Sequence, residues 1–307
     1  MSVDTIYQMI TDRILTMLEE GTVPWRKPWN AGGAPGNLVS GKPYRGVNVF
    51  LLGTAPYASP WWLSFKQAKT LGGSVKKGEK GSVVIFWKID KATDPTTGEL
   101  RTVPMLRYYR VWNLDQCEGV RVPKGRITES DGPPLSDADR IAAAEKIAAS
   151  YVDGPTLEHA GGAAYYRPTT DTVTMPPLSV FHGAAEYYST LFHELGHSTG
   201  HASRLARFDE YRVHEFGSAE YGREELIAEM TSAFLCGEAG ILPATITNSA
   251  AYIAGWRKAI KGDPRAVIVA AGAAQKAADR IVGRTWDNAV TADADAETPA
   301  TGHTLAA

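Results

Sequence analysis

Along the first twenty residues, Ile6, Met9, Ile10, Ile14, Met17 and Leu18 recur mainly at spacings of three and four, the period of one face of an α-helix. Asp4 or Thr5 stands where an N-cap is needed, and Gly21 where the helix should end. The segment Trp61-Trp62-Leu63-Ser64-Phe65-Lys66-Gln67-Ala68 predicts entry into a short helix ending near Gly72-Gly73. Ser82 to Trp87 and Leu106 to Trp112 are rich in β-branched and aromatic residues. They predict two strands, paired across a hairpin tipped by Asp94-Pro95-Thr96-Thr97-Gly98. After the polar Gly/Pro stretch Glu129 to Pro134, the helical period returns. Ser136-Asp137-Ala138-Asp139 opens an Ala-rich helix that runs to about Ser150. Two short strands, Ala164 to Arg167 and Thr172 to Met175, flank a turn. Helices follow over Ala184 to Gly200, Arg223 to Leu235, Ala250 to Lys261 and Asp263 to Val282, the last with Pro264 in its first turn. The final two read as scaffold.

This order predicts an α+β chain. Its 307 residues favour two domains over one. The expected division is a small mixed domain at 1–128, a linker at 129–135, a second domain at 136–288 and a disordered tail at 289–307. There is no repeat at solenoid or propeller period. With 44% hydrophobic and 21% charged residues, a collagenous, coiled-coil or wholly disordered chain is excluded. The longest apolar stretch, around Ala266 to Ala274, falls well short of the ~20 residues that cross a bilayer. Met1-Ser2-Val3-Asp4 has no secretory pattern. Cys117 and Cys236 stand far apart without a CxxC partner, so each reads as a small buried hydrophobe of a cytoplasmic protein.

The net charge of -2 conceals a division. Residues 1–127 carry 18 Lys and Arg against 10 Asp and Glu, and the remainder 14 against 24. Six of the eight tryptophans also lie in the basic half. Basic and aromatic residues interleave at Trp25, Arg26, Lys27 and Trp29, at Tyr44, Arg45 and Asn48, at Trp62 and Lys66, and at Lys76, Lys77 and Lys80. Such a surface suits single-stranded nucleic acid, because rings stack on bases while cations track phosphates. For any one tryptophan, burial in the core is the better expectation; the ensemble points to binding. No GxxxxGK[ST] or strand-borne GxGxxG supports nucleotide binding.

The acidic half holds His193-Glu194-Leu195-Gly196-His197. On a helix, i and i+4 share a face, so His193 and His197 can direct nitrogens to one Zn²⁺ or another divalent ion, with Glu194 beside the open coordination position. A glutamate there can take a proton from an attacking water and pass it to a leaving amine. A catalytic zinc needs a third protein ligand. Glu225, in the helical run from Arg223, is the first candidate. Glu229, one turn on, is either a hydrogen-bond partner of a ligand histidine or the ligand itself, and Glu224 is expected to face solvent or an arginine. His201 is a further alternative if the helix continues through Gly200.

In combination, PW-x-x-PW at Pro24 to Trp29, YRGxN at Tyr44 to Asn48, FKQA at Phe65 to Ala68 and VKKGEKG at Val75 to Gly81 resemble the N-terminal domain of ArdC-type antirestriction proteins of conjugative plasmids. HELGHSTGH at His193 to His201 and EELIAE at Glu224 to Glu229 resemble the zincin-like metallopeptidase domain of the same proteins. The resemblance covers most of the chain. It implies a single-stranded-DNA-binding domain shared with certain plasmid primases, a zinc-peptidase-like domain, and protection of incoming DNA from host restriction in a bacterial cytoplasm. Host restriction enzymes or another host protein are the implied further partners. Two other readings stay open: a metallopeptidase that acts on a host protein independently of DNA, and a DNA-binding protein whose metal is purely structural.

Overall fold

A computed structural model describes residues 2–26, 33–93, 100–126, 135–208, 219–241 and 250–285. Most of the expected linker, all of the expected tail and the hairpin tip lie outside these residues. Helix α1 (Val3–Glu19) buries Ile6, Ile10, Ile14 and Leu18 as its period requires, and Gly21 (φ +77°) ends it. The cap differs from expectation: Ser2, not Asp4 or Thr5, accepts the Thr5 N–H at 3.2 Å. Next come β1 (Gly36–Asn37), α2 (Val47–Gly53), β2 (Trp61–Leu63), α3 (Phe65–Thr70) and β3 (Ser74–Val75). The hairpin β4 (Ser82–Thr93) and β5 (Leu100–Asn113) and then β6 (Cys117–Glu118) complete the N-terminal half. Ser64 and Gln67 form a capping box at the start of α3.

Strands β1, β2, β5 and β4 form one sheet in that order, with β1 parallel to β2 and the other pairs antiparallel. Strands β3 and β6 form a separate ladder. The hairpin alternates with the period of a strand buried on both faces. Val83, Ile85 and Leu106 enter the main core, while Val84 and Val111 join Leu52, Ala55 and Trp62 in a smaller cluster.

The C-terminal half begins with α4 (Asp137–Ala149), capped by Ser136 and Asp139. A three-stranded sheet follows, ordered β7 (Thr156–His159), β9 (Thr172–Met175), β8 (Tyr165–Arg167), with β7 parallel and β8 antiparallel to β9. Helices α5 (Ala184–Ser198), α6 (Ala219–Ala239), α7 (Ala250–Gly262) and α8 (Ala266–Ile281) complete the fold. Mixed helices and sheets agree with the expected α+β class.

Packing does not stop between the halves. One core cluster runs from Ile6, Ile10 and Ile14 through Trp25 and Phe50 to Phe234, Trp256 and Val267. Trp25 meets Phe50 and Trp256 edge-on at 6.3 and 5.5 Å, and Phe50 stacks on Phe234 at 4.9 Å. Ala270, Ala271, Ala274 and Ala278 of α8 are buried in the same core, small enough for close helix packing. Polar contacts follow the same route. Thr11 Oγ1 donates to the Pro264 carbonyl at 2.7 Å, Arg45 pairs with Asp279, and the Gly46 N–H donates to Gln275 at 3.1 Å. Cys117 and Cys236 are both buried, and burial pushes their thiols up to about 11 and about 12, too high for a nucleophile at neutral pH. Among the described residues, no helix is long and apolar enough to cross a membrane.

Because Trp25 is 2% exposed at the join between the halves, Trp25→Ala should cost about 3–5 kcal/mol of folding stability. A denaturant midpoint checks this, and a surface role for the ring predicts no change.

Candidate metal centre and nucleic-acid face

Helix α5 buries Tyr187, Leu191, Phe192 and Leu195 in the core, which turns the opposite positions toward α6. The helices meet at Gly196: a Cβ there would lie 3.1 Å from Thr231 Cβ and 3.2 Å from Ala228 Cα. The crossing brings Glu225 of α6 to both histidines. His193 Nε2 and His197 Nε2 are 3.1 Å apart, and Glu225 oxygens lie 3.5 Å from each. One ligand atom from each of these three residues falls within 4.8 Å of the others. Two imidazole nitrogens and a carboxylate are a donor set for a divalent ion, and the three donors found among the described residues are one short of a closed structural zinc site. Glu194 is buried, and its charge acts on His193.

The electrostatics are those of an ion pair held out of water. Burial alone would lower the His193 pKa, but the Glu225 hydrogen bond and the charges of Glu194 and Glu229 raise it to about 9. Burial alone would raise Glu225, but His193 and His197 hold it at about 2.

Two of the expected alternatives stand outside the cluster. Helix α5 ends at Ser198, which breaks the i, i+4 relation beyond His197, and the His201 ring instead meets Ser203 Oγ at 2.8 Å. Glu229 is turned to Arg26, whose Nη2 donates to Oε1 at 3.0 Å. Glu224 does meet an arginine, but it also lies 3.5 Å from His197 Nδ1. Two arginines absent from the sequence reading organise the end of α5. Arg204 donates to the Ser198 carbonyl at 2.8 Å and to Asp171 beside β9 at 2.9 Å. Arg207 donates to the Gly196 carbonyl at 3.0 Å, to Thr199 Oγ1 at 2.7 Å, and through two nitrogens to Glu224 at 3.0 and 2.7 Å. Both follow the helix end in sequence, where cations complement the dipole, but only the tertiary fold supplies their carboxylates.

The basic-aromatic positions divide. Trp25 and Trp62 are each 2% exposed, so their rings are closed to a base, and the sequence expectation is corrected for both. Arg26 is buried between Glu229 and the Trp256 ring, 5.2 Å from its centroid. Arg45 pairs with Asp279. Asn48 clamps Ile85, donating to its carbonyl at 2.7 Å and accepting its N–H at 2.8 Å. Tyr44 packs against the smaller cluster. Lys27 and Trp29 lie outside the described residues. Lys66, Lys76, Lys77 and Lys80 are exposed, with Lys76 donating to the Asp115 carbonyl at 2.8 Å. Near them stand rings that sequence reasoning left unassigned. Phe65 is 40% exposed, meets Trp112 edge-on at 6.0 Å and carries Lys69 Nζ 4.9 Å from its centroid. A Cβ on Gly81 would come within 2.8 Å of Trp112, so the loop after Lys80 lies directly on that ring.

Comparison with known proteins agrees with this layout. Residues 4–112 match the family model for the N-terminal domain of anti-restriction factor ArdC, and residues 142–273 match that for a zincin-like metallopeptidase. The metal-free crystal structure of the antirestriction ArdC protein from the R388 plasmid has 38% sequence identity and a TM-score of 0.74, over 91% of this chain and 99% of that one. The chain belongs to the ArdC antirestriction family. The Mn(II)-bound ArdC structure has 39% identity and a TM-score of 0.71, over 90% of this chain and 96% of that one. An uncharacterised protein of Sinorhizobium fredii, y4eC, is 37% identical over 94% of this chain and 93% of its own length. DNA primase TraC of Escherichia coli is 35% identical over 90% of this chain, which spans only 27% of that primase. An ArdC structure with bound manganese supports a divalent metal for the family.

The two shifted groups predict how the chelator-treated protein responds to pH. His193, raised from an ordinary 6.5 to about 9, contributes stability that is complete below 6.5 and lost as pH rises through about 9. Glu225, lowered from 4.5 to about 2, contributes stability that is complete above 4.5 and lost as pH falls through about 2. The thermal midpoint should therefore decline between pH 6.5 and 9, and less steeply in Glu225→Gln. Equal alkaline slopes in the two proteins would show that the pair contributes nothing.

Proposed function

We propose that the chain is an antirestriction protein that binds single-stranded DNA through its N-terminal half and carries a zinc-peptidase site in its C-terminal half. The division is 1–128 for DNA, 129–135 as linker, 136–288 for the peptidase-like domain and 289–307 as a tail, working in a bacterial cytoplasm. The observation that carries the DNA reading is the exposed Phe65, flanked by Lys66 and carrying Lys69 over its ring, beside Trp112 and the loop after exposed Lys80. A strand lying there meets rings for its bases and cations for its phosphates. The ArdC and TraC relatives support a role with DNA.

His193, His197 and Glu225 would hold the ion. A zinc ion so held polarises a carbonyl and makes a nearby water acidic. The chain supplies the proton handling: the Glu194 carboxylate accepts a proton from the attacking water and delivers it to the leaving amine. Among the described residues three donors converge, and a place left for water favours this over a purely structural metal. Host restriction enzymes or another host protein are the substrates this reading implies.

Anisotropy titrations with single-stranded and duplex DNA of one sequence test the binding reading. Single strands should bind more tightly, and replacing Lys66, Lys77 and Lys80 together with Ala should reduce the salt slope by about 2, at roughly 0.7 per phosphate contact. An unchanged slope would remove this face from the DNA site. Glu194→Ala should leave that affinity intact, and a conjugation assay with the same variant then separates two modes of protection: retained protection sinks proteolysis, and lost protection sinks coating alone.

A further inference from the structure

The His197 imidazole lies between two consecutive glutamates. Glu225 Oε1 stands 3.5 Å from its Nε2 and Glu224 Oε1 stands 3.5 Å from its Nδ1. Neighbouring helical residues point about 100° apart, so one turn of α6 addresses both edges of the ring. Glu224 is itself fixed. The Arg207 fork takes both of its oxygens, and the same guanidinium holds Gly196 and Thr199 at the end of the helix that carries His197. All three side chains are largely buried, at 15% exposure for His197, 12% for Glu224 and 14% for Arg207. Water therefore competes little for these contacts.

We infer that Glu224 and Arg207 are positioning residues of the metal centre: Glu224 accepts the His197 Nδ1–H, and Arg207 holds Glu224 in place to do so. An imidazole can carry its proton on either nitrogen, and only the Nδ1–H form offers the Nε2 lone pair to the side where His193 and Glu225 converge. The Arg207 fork also compensates one of two adjacent buried carboxylates, which would otherwise repel each other. Lysine cannot substitute, because a single ammonium does not span both oxygens and the two acceptors on α5. This inference rests on the proposed metal site and adds two residues that reach the ion only through His197.

The test is zinc affinity of the full-length chain, measured by competition with a chromophoric chelator. Glu224→Ala and Arg207→Ala should each weaken zinc by about 10–100-fold. The double variant should be no weaker than the worse single one, because both substitutions break one relay. Arg207→Lys should recover little. Trp25→Ala serves as the control for general loosening: although less stable, it should keep wild-type zinc affinity. In the zinc-loaded wild type, the His197 Nδ1–H should appear as a protected downfield proton resonance that is lost in Glu224→Ala and kept in Trp25→Ala. If Arg207→Ala does not fold by circular dichroism, Arg207→Lys and Glu224→Gln decide, each with a several-fold loss expected. Folded Glu224 and Arg207 variants that bind zinc within two-fold of wild type, while His193→Ala does not, would overturn this inference alone. A wild type with no zinc affinity, or a His193→Ala that binds as tightly, would overturn the metal site and this inference with it.

Discussion

The close crossing of α5 and α6 at Gly196 is the constraint on which the centre depends. Donors from two helices can share an ion only if the helix axes are near enough for a glutamate to reach across, and even a Cβ at Gly196 would press on Ala228 and Thr231 at 3.1–3.2 Å. The glycine inside HELGH is thus explained by packing. It is a poor helix former in a helix interior, and tertiary contact outweighs that cost. Once the helices touch, Glu225 falls between His193 and His197, and Glu224 falls behind His197. The arginines of the return segment then hold the assembly from outside: Arg204 ties the end of α5 to the sheet, and Arg207 ties it to α6.

The second organising feature is the continuity of the two halves. Sequence motifs that combine basic and aromatic residues suggest a nucleic-acid surface, yet Trp25, Arg26 and Arg45 are spent on cohesion. Arg26 is the clearest example. Its guanidinium reaches Glu229, one helical turn from Glu225, and lies against Trp256. The N-terminal half thereby contributes charge to the surroundings of the centre in the other half. Opposite net charges in the two halves favour such pairing, and Arg257 and Lys261 on Glu19 extend it in the other direction.

How much was legible in the sequence follows from how local each signal is. Helix α1, the β4–β5 hairpin, β8 and β9, and the helices of the second half are carried by periodicity and turn chemistry, and all are present. The shared face of His193 and His197 was legible because i, i+4 geometry is intrinsic to a helix, whereas the approach of Glu225 to 3.5 Å from both comes from the packing of α6 on α5. Among the elements that escaped, two show why. Helix α2 is nearly all apolar, with Val47, Val49, Phe50, Leu51 and Leu52 buried, so it shows no polar face to reveal a period. Strand β7 is exposed at all four positions and has no hydrophobic alternation. It exists because β9 offers it a partner. The carboxylate partners of Arg26, Arg45 and Arg207 were not legible for one reason: a charged residue has no local signature for whether it faces solvent, DNA or a carboxylate brought to it by the fold.

The continuous core also bears on inheritance. A chain cut between the halves would leave Trp25, Phe50 and Phe234 facing water, so a recombination event that separated them would yield two pieces with exposed apolar rings. Gene exchange that preserves a folded product must move the whole stretch as one cassette. That agrees with its presence at nearly full length both in a protein of similar size and inside a far longer primase. What looks like two modules joined in series is, to gene exchange, a single transferable part.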